Sequence, residues 1–222
     1  MQKEIYLLRG SSAESYAAFQ EEIFGVADRL VRETAPEKLS VTLTTEPPPR
    51  LTVIPFVPKK IAAISLIRER AAPMKFPNLE SDLCGAYRVE EALPVQYEKS
   101  WNNGTITPGI CLLTLFRRRP GLDHPTFLHR WHHSHTPLSL RIHPLWHYNR
   151  NVVTGTLAPG SEPWEGIVEE HMKSRADLLN PFRFFGNPLV IVQRMIEVYR
   201  DTRSFLDYKT IEPYLVREYH LI

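Results

Sequence analysis

The histidines of this chain are concentrated in one short stretch. Seven of the nine lie between His124 and His147, and none occurs in the first 123 residues. An unperturbed imidazole has a pKa of about 6.5, so it gains or loses a proton readily near neutral pH. Because tryptophans and other apolar side chains lie in the same stretch, the sequence indicates acid–base chemistry beside an apolar surface.

One of these histidines lies at the end of a predicted helix. Asp123 is a favourable N-cap residue, and Pro125 suits the first turn. Phe127, Trp131 and His135 are four residues apart, which places them on one stripe of the helix. The stripe should pack on a sheet, and the helix dipole favours an imidazolium at its C-terminal end. His135 is therefore the candidate general acid or base, and a structural role in capping the helix is the alternative.

The other histidines of this stretch have weaker claims to chemistry. His129 and His133 fall on the face of the helix that must meet solvent, whereas His132 lies between the two faces and is a candidate substrate contact. Two pairs have the i, i+4 spacing of metal ligands, His129 with His133 and His143 with His147. Neither pair has the glutamate of an H-E-x-x-H motif or a third ligand fixed by spacing, so no metal site is predicted.

Polar side chains on later strands complete the candidate site. Glu169 and His171 are two residues apart on a predicted strand, so they share one face of it. We expect them to point at the helix-facing side of the sheet, together with Tyr148 and His220 from neighbouring strands. A carboxylate hydrogen-bonded to an imidazole raises its basicity, which suits a catalytic role. A structural ion pair between Glu169 and an arginine is the alternative.

Aromatic residues are abundant in the second half, and a few of them suit the wall of a cleft. Phe182 and Phe185 lie in the NPFRFFGNP segment, which proline and glycine interrupt. We predict that they contact a substrate together with Phe127, Trp131 and His132. The chain has no phosphate-binding loop or dinucleotide fingerprint, so the predicted ligand is a hydrophobic small molecule, and no cofactor is expected.

Composition excludes several classes of function. The 27 lysines and arginines nearly balance 25 acidic residues, and they are spread along the 222-residue chain, so nucleic acid is not an expected partner. The two cysteines stand alone, which indicates a reducing compartment. The N-terminus has no signal-peptide pattern, and no apolar run is long enough to cross a membrane. We therefore expect a cytoplasmic protein, either a monomer or a homodimer.

Hydrophobic periodicity predicts two consecutive groups of elements, separated at Gly104. In residues 1–104, the predicted elements are a strand at Glu4–Arg9, a helix that begins after a serine cap at Ser11–Ser12 and ends before Pro36, and strands at Leu39–Thr45, Lys60–Ile67 and Ala86–Tyr97, with no clear helix over 71–84. In residues 105–222, they are strands at Ile110–Phe116, Trp146–Leu157, Ile167–Met172 and Tyr214–Ile222, with helices at Asp123–Ser134, Arg175–Phe185 and Val190–Thr202. Pro181 and Pro188 interrupt the last two helical patterns. The second group reads β-α-β-β-α-β.

Five ordered motifs of the second half resemble the EthD domain family. They are F-x-x-x-W-x-x-x-H-x-P-L at Phe127, Trp131, His135, Pro137 and Leu138; Y-x-x-N at Tyr148 and Asn151; G-I-x-E at Gly166, Ile167 and Glu169; D-x-x-x-F at Asp201 and Phe205; and the terminal strand ending in EYHLI. The resemblance covers residues 106–222. The first half has a similar order of elements without the tryptophan–histidine motif, so we interpret it as a degenerate copy.

This resemblance implies an α+β fold in which tandem ferredoxin-like units (βαββαβ) form a pseudo-dimeric α+β barrel. It also implies a cofactor-free enzyme that moves protons on an aromatic or polyketide-like carbonyl compound as a lyase, cyclase, dehydratase or isomerase. His135, Tyr148, Glu169 and His171 are the expected catalytic residues. A cofactor-independent monooxygenase and a non-catalytic binder of apolar ligands are the alternatives. Some distant members of this fold class bind haem through a histidine, but nothing in this sequence singles out such a ligand.

Overall fold

The computed structural model describes residues 1–69 and 82–222, which form an antiparallel barrel with helices outside it. The strands are β1 (Gln2–Arg9), β2 (Lys38–Leu43), β3 (Ile61–Arg68), β4 (Asp82–Val95), β5 (Ile110–Phe116), β6 (Leu145–Thr156), β7 (Gly166–Met172) and β8 (Glu212–His220). They close in the order β1-β3-β2-β8-β5-β7-β6-β4. Closure pairs every strand on both sides, so the barrel has no exposed strand edge.

The helices of the described residues pack outside the barrel. They are α1 (Tyr16–Thr34), α2 (His124–His129), a π-helical segment (Arg130–His135), α3 (Thr136–Ile142), α4 (Arg175–Leu179), α5 (Pro181–Phe184) and α6 (Ile191–Phe205). None of these helices is long and apolar enough to span a membrane.

Each half of the chain contributes four neighbouring strands. The first half gives the run β4-β1-β3-β2, and the second half gives the matching run β8-β5-β7-β6. Two antiparallel seams join the halves, β2 with β8 and β4 with β6. Strand β7, which carries Glu169, has the barrel interior on one face and the outer helices on the other.

Apolar side chains fill both faces of the barrel wall. Ile5, Leu113 and Val216 pack inside the barrel, whereas Phe19 and Leu30 of α1 cover the outer face of the first half. Because both faces of a strand are buried, its sequence lacks a clear alternation of apolar and polar residues.

The predicted elements agree with the structure in kind and order, although most of their ends shift. All the predicted strands are present, with ends that shift by at most four residues. Asp123 does cap α2, accepting from the Thr126 amide, but the helical path continues to Ile142. The cap of α1 is Ser15 rather than the predicted Ser11–Ser12. Most of the segment 71–84, predicted to lack a helix, lies outside the described residues.

Candidate functional site

A cavity of about 390 Å³ lies on the outer face of the second half, between its strands and helices. Aromatic and aliphatic side chains form most of its wall, and nine polar side chains reach it. The polar groups are Thr114, His135, Ser139, His143, Tyr148, Glu170, Tyr199, Thr202 and Tyr208. We call it the helix-side cavity. An apolar cavity with a few polar groups is the usual form of a small-molecule site.

The π-helical segment shapes one wall of this cavity. The amide of Thr136 donates to the Trp131 carbonyl, five residues back, and the Thr136 hydroxyl donates to the same oxygen at 2.9 Å. Arg150 on β6 donates to the Thr136 hydroxyl at 2.8 Å, which ties the widened turn to the sheet. Single π-helical turns within helices occur often at functional sites. Trp131 and His135, at positions of this turn, both line the cavity.

His135 is held between an acid and a hydroxyl. Its Nδ1 lies 2.8 Å from Asp201 Oδ2 on α6, and its Nε2 lies 3.1 Å from Ser139 Oγ. Burial alone would raise the pKa of Asp201, but hydrogen bonds from His135 and Ser134 lower it. An ionised Asp201 fixes the proton on Nδ1, so the Nε2 lone pair accepts from the Ser139 hydroxyl. An imidazole nitrogen held in this way at the cavity wall can act as a base.

Glu170 is a second titratable side chain at the same cavity. Burial raises its pKa from 4.5 to about 7, although the nearby His135 imidazole opposes that shift. At neutral pH the carboxyl therefore exists in both protonation states. Such a group can accept a proton, or donate a hydrogen bond to an oxygen that gains negative charge.

Tyr148 stands on β6 beside Trp131. The Trp131 indole N–H donates to the Tyr148 hydroxyl oxygen at 3.3 Å. Burial raises the pKa of Tyr148 above its usual value, so the phenol keeps its proton. The hydroxyl hydrogen can be offered to a carbonyl oxygen in the cavity.

The first half of the chain also contributes to this cavity. Val53, Ile54 and Pro55, in the connection between β2 and β3, line it. Phe56 packs with the core beneath the helices of the second half, and the Val57 amide donates to the Pro213 carbonyl at 2.8 Å. The cavity is thus built by both halves.

The expected orientation of three site residues is wrong. Glu169, His171 and His220 were expected on the helix-facing side, but they lie inside the barrel. Thr42, from the opposite side of the barrel, donates to Glu169 at 2.6 Å, and His171 is 3.7 Å from Glu218. Alternation along β7 instead sends Glu170 outward. The alternative of an ion pair between Glu169 and an arginine is also absent from the contacts of the described residues.

The remaining predicted contacts divide between the cavity and other places. Trp131, Tyr148 and Phe185 line the cavity, together with the neighbouring Phe184. Phe127 is fully buried in the core behind Trp131. Phe182 is 51% exposed, whereas Phe184 and Phe185 of the same segment are buried. Neither Phe127 nor Phe182 is part of the cavity wall.

His132 and the histidine pairs do not form a metal site in the part of the chain that the structure describes. Burial, aided by the Arg150 charge, lowers the pKa of His132 to about 4, and its ring lies outside the cavity wall. The rings of His129 and His133 are 5.0 Å apart on the exposed face of the helix. No group of three or more histidine, cysteine or acidic residues among the described residues is arranged to hold an ion.

Sequence reasoning missed Asp201, Ser139 and Glu170, of which Ser139 and Glu170 line the cavity. Asp201 was present in the D-x-x-x-F motif, yet nothing in the sequence pointed to its contact with His135, 66 residues away. Ser139 is four residues after His135, a spacing that places both on one helix face. Glu170 was overlooked in favour of Glu169 because adjacent glutamates give no sign of which one faces outward.

Comparisons with known proteins identify proteins of similar fold, but they assign the chain to no family. No family model matches the chain, and no curated protein matches it. A solved structure of an anthrone oxidase-like protein aligns with all of this chain and 91% of its own, with a TM-score of 0.60 and 12% identity. That likeness shows the fold. A monooxygenase structure from Fusobacterium nucleatum subsp. nucleatum covers 100% of this chain and 92% of its own, with a TM-score of 0.47 and 7% identity.

Proposed function

We propose that this chain is an oxidoreductase that oxidises an aromatic carbonyl compound with molecular oxygen in the helix-side cavity, using its own side chains for proton transfer. The observation that carries the proposal is the Asp201–His135–Ser139 arrangement at the wall of an apolar cavity. The fold neighbour named as anthrone oxidase-like supports the choice of substrate class. An anthrone is a flat aromatic ketone with an acidic methylene group.

His135 is the proposed base. Its Nε2 takes a proton from the carbon conjugated with the carbonyl, once the substrate displaces the Ser139 hydroxyl or receives its hydrogen bond. The ionised Asp201, 2.8 Å from Nδ1, stabilises the imidazolium that forms. The surrounding aromatic side chains exclude water and leave the charged pair with few other partners.

Glu170 and Tyr148 are proposed to stabilise the enolate. The negative charge left on the substrate spreads to its carbonyl oxygen, which then accepts from a protonated Glu170 or from the Tyr148 hydroxyl. Both groups line the cavity, and burial keeps both protonated more readily than they would be in water. Donors placed at developing charge are the largest source of rate enhancement in many enzymes.

The electron-rich carbon then reacts with oxygen. Bond formation to O₂ gives a carbon hydroperoxide after a proton returns from His135, and loss of water with the second methylene proton leaves a new carbonyl. The overall balance is R₂CH₂ + O₂ → R₂C=O + H₂O. The lyase, cyclase, dehydratase and isomerase reactions start from the same proton removal, but they consume no oxygen.

Oxygen uptake during turnover tests the proposal. With anthrone as the probe, we expect enzyme-dependent loss of one O₂ per ketone oxidised, beyond the uncatalysed rate. His135→Gln should lower kcat/KM by at least about a hundredfold, whereas His133→Gln, on the exposed face of the same helix, should change it less than about twofold. Equal rates for the two variants would remove His135 from the mechanism.

Two other outcomes would select the alternatives. Conversion of a carbonyl substrate under nitrogen, at the rate seen in air, would replace the oxidase by a lyase or isomerase. A non-catalytic binding protein would be favoured if two results came together. The unaltered protein would turn over none of the ketones tried, and the His135→Gln variant would still bind the probe. Retained binding with lost turnover in His135→Gln alone would argue for the enzyme.

The finer assignment of the architecture belongs to the same proposal. Residues 1–104 and 105–222 are interpreted as tandem ferredoxin-like units, because their strand runs have the same order. The motifs from Phe127 to Phe205 support membership of the EthD family for the second unit. A cytoplasmic location, and a choice between monomer and homodimer, stay predictions from the sequence.

A further inference from the structure

A second cavity, of about 430 Å³, lies at one end of the barrel, on the side of the sheet away from the helix-side cavity. Most residues of its wall are polar, whereas most residues of the helix-side cavity wall are apolar. Six of the residues that line it are Ser65, Tyr97, His147, Asn149, Glu218 and His220. We call this space the barrel chamber. It has room for many water molecules, each of which occupies about 30 Å³ in the liquid.

Several polar atoms around the barrel chamber have no hydrogen-bond partner. Ser65 Oγ, His147 Nδ1 and Asn149 Oδ1 belong to chamber-lining residues that are each more than 90% buried. His171 Nε2, behind them, also lacks a hydrogen bond and lies 3.7 Å from Glu218 Oε1. A buried polar group without a hydrogen bond destabilises the fold. A molecule that bonds to several of these atoms would recover that free energy.

Two acidic side chains lie deep inside the barrel. Glu218 and Glu169 are both at least 95% buried, and no lysine or arginine in the described ranges lies within ion-pair distance of either carboxylate. The Lys3 ammonium is already bound to Glu91 at 2.6 Å. The partners of Glu218 are His171, His220 and the Tyr97 hydroxyl, while Thr42 donates to Glu169.

Burial and neighbouring groups fix the protonation states of two residues of the chamber. Burial lowers the pKa of His147 to about 4, so its ring is neutral at pH 7. Burial would raise the pKa of Glu218, but the adjacent His171 and His220 imidazoles and the Tyr97 hydroxyl hold it well below its usual range. Glu218 is therefore ionised. The other charged groups of the wall, Glu37, Lys38 and Lys99, lie at its exposed rim.

We infer that the barrel chamber binds a small organic ammonium ion. A primary ammonium group has three N–H donors, and the chamber offers matching acceptors in the Glu218 carboxylate, Asn149 Oδ1 and Ser65 Oγ. The ionised Glu218 carboxylate, which has no lysine or arginine partner among the described residues, also attracts a cation and repels an anion. The chamber histidines and acids are not arranged to hold a metal ion among the described residues. This site is independent of the proposed oxidation.

An NMR titration with three molecules of similar size tests the inference. The probes are ethanolamine as the ammonium ion, ethylene glycol as the neutral analogue and glycolate as the anion, each at pH 7. Saturable shifts of the Tyr97 and His147 ring signals are expected with ethanolamine alone. If ethanolamine gave no saturable shift, water would be the occupant of the chamber. If glycolate or ethylene glycol bound as tightly as ethanolamine or more tightly, the charge argument would be contradicted. Either result would overturn the inference.

Variants connect the binding to the chamber. Glu218→Gln should weaken ethanolamine binding by at least about tenfold, because it removes a charge-assisted hydrogen bond. Asn149→Ala, which keeps every charge, should weaken it about threefold and serves if Glu218→Gln fails to fold. Glu197→Gln, on α6 outside the barrel, is the matched control and should leave the dissociation constant unchanged. Unchanged binding in both chamber variants would place the ammonium ion elsewhere and overturn the inference.

Discussion

Strand β7 separates two buried regions of opposite character. Its outward residues Val168 and Glu170 face the helix-side cavity, where aromatic rings form most of the wall. Its inward residues Glu169 and His171 face the barrel interior, where hydroxyl, amide and imidazole groups surround the acids. The same strand thus supports an apolar site suited to chemistry on carbon and a polar site suited to a charged ligand.

The two regions shift the pKa of a buried carboxyl group in opposite directions. In the helix-side cavity, burial raises the pKa of Glu170 to about 7. In the barrel chamber, Glu218 is more deeply buried than Glu170, but imidazoles and the Tyr97 hydroxyl outweigh burial and lower its pKa. Neighbouring hydrogen-bond donors, rather than depth alone, decide whether a buried acid is an ionised ligand or a group that exchanges protons.

Neighbouring glutamates on β7 give the strongest test of this separation. Glu170→Leu, which removes the polar group and nearly keeps its volume, should lower kcat/KM for the ketone about a hundredfold. Glu169→Gln should change kcat/KM less than about threefold, since its side chain faces the other way. Steady-state oxygen uptake measures both. A larger loss from Glu169→Gln than from Glu170→Leu would mean that the chemistry takes place inside the barrel.

The pH dependence of stability should differ in sign between the two regions. The folded pKa of Glu170, about 7, exceeds its unfolded value of 4.5, so burial favours the protonated form, and that advantage is lost as the pH rises through 7. Glu170→Gln should therefore be more stable than the unaltered protein at pH 8, on the order of 2 kcal/mol, with no difference below pH 4.5.

Glu218→Gln should behave in the opposite way. Because the folded pKa of Glu218 is below its unfolded value, its ionised form stabilises the fold above pH 4.5, and that contribution is lost on acidification. The variant should be less stable than the unaltered protein at pH 7, with a difference that shrinks toward pH 3. Urea unfolding at pH 3, 5 and 8 measures both variants, and a shared sign at pH 8 would contradict the contrast between the sites.

The sequence predicted the elements better than it predicted the faces they present. Asp123, Trp131 and His135 belong to a local pattern, so the helix and its cavity-facing residues could be found from spacing alone. The sequence G-I-V-E-E-H-M of β7 has buried surroundings on both sides, so apolar alternation could not tell which glutamate points outward. The contact of His135 with Asp201 and the closure of the barrel depend on distant pairings that no local pattern records.

The contribution of the first half to the cavity gives the smallest expected effect. Ile54 lines the helix-side cavity, whereas Leu51, three residues earlier in the same connection, is 97% exposed. Ile54→Ala should raise KM about threefold with kcat nearly unchanged, because it removes apolar contact made equally with substrate and transition state. Leu51→Ala should alter neither constant. If the two variants were indistinguishable, substrate would contact the second half alone; if Ile54→Ala lowered kcat instead, the connection would help to position the reacting groups.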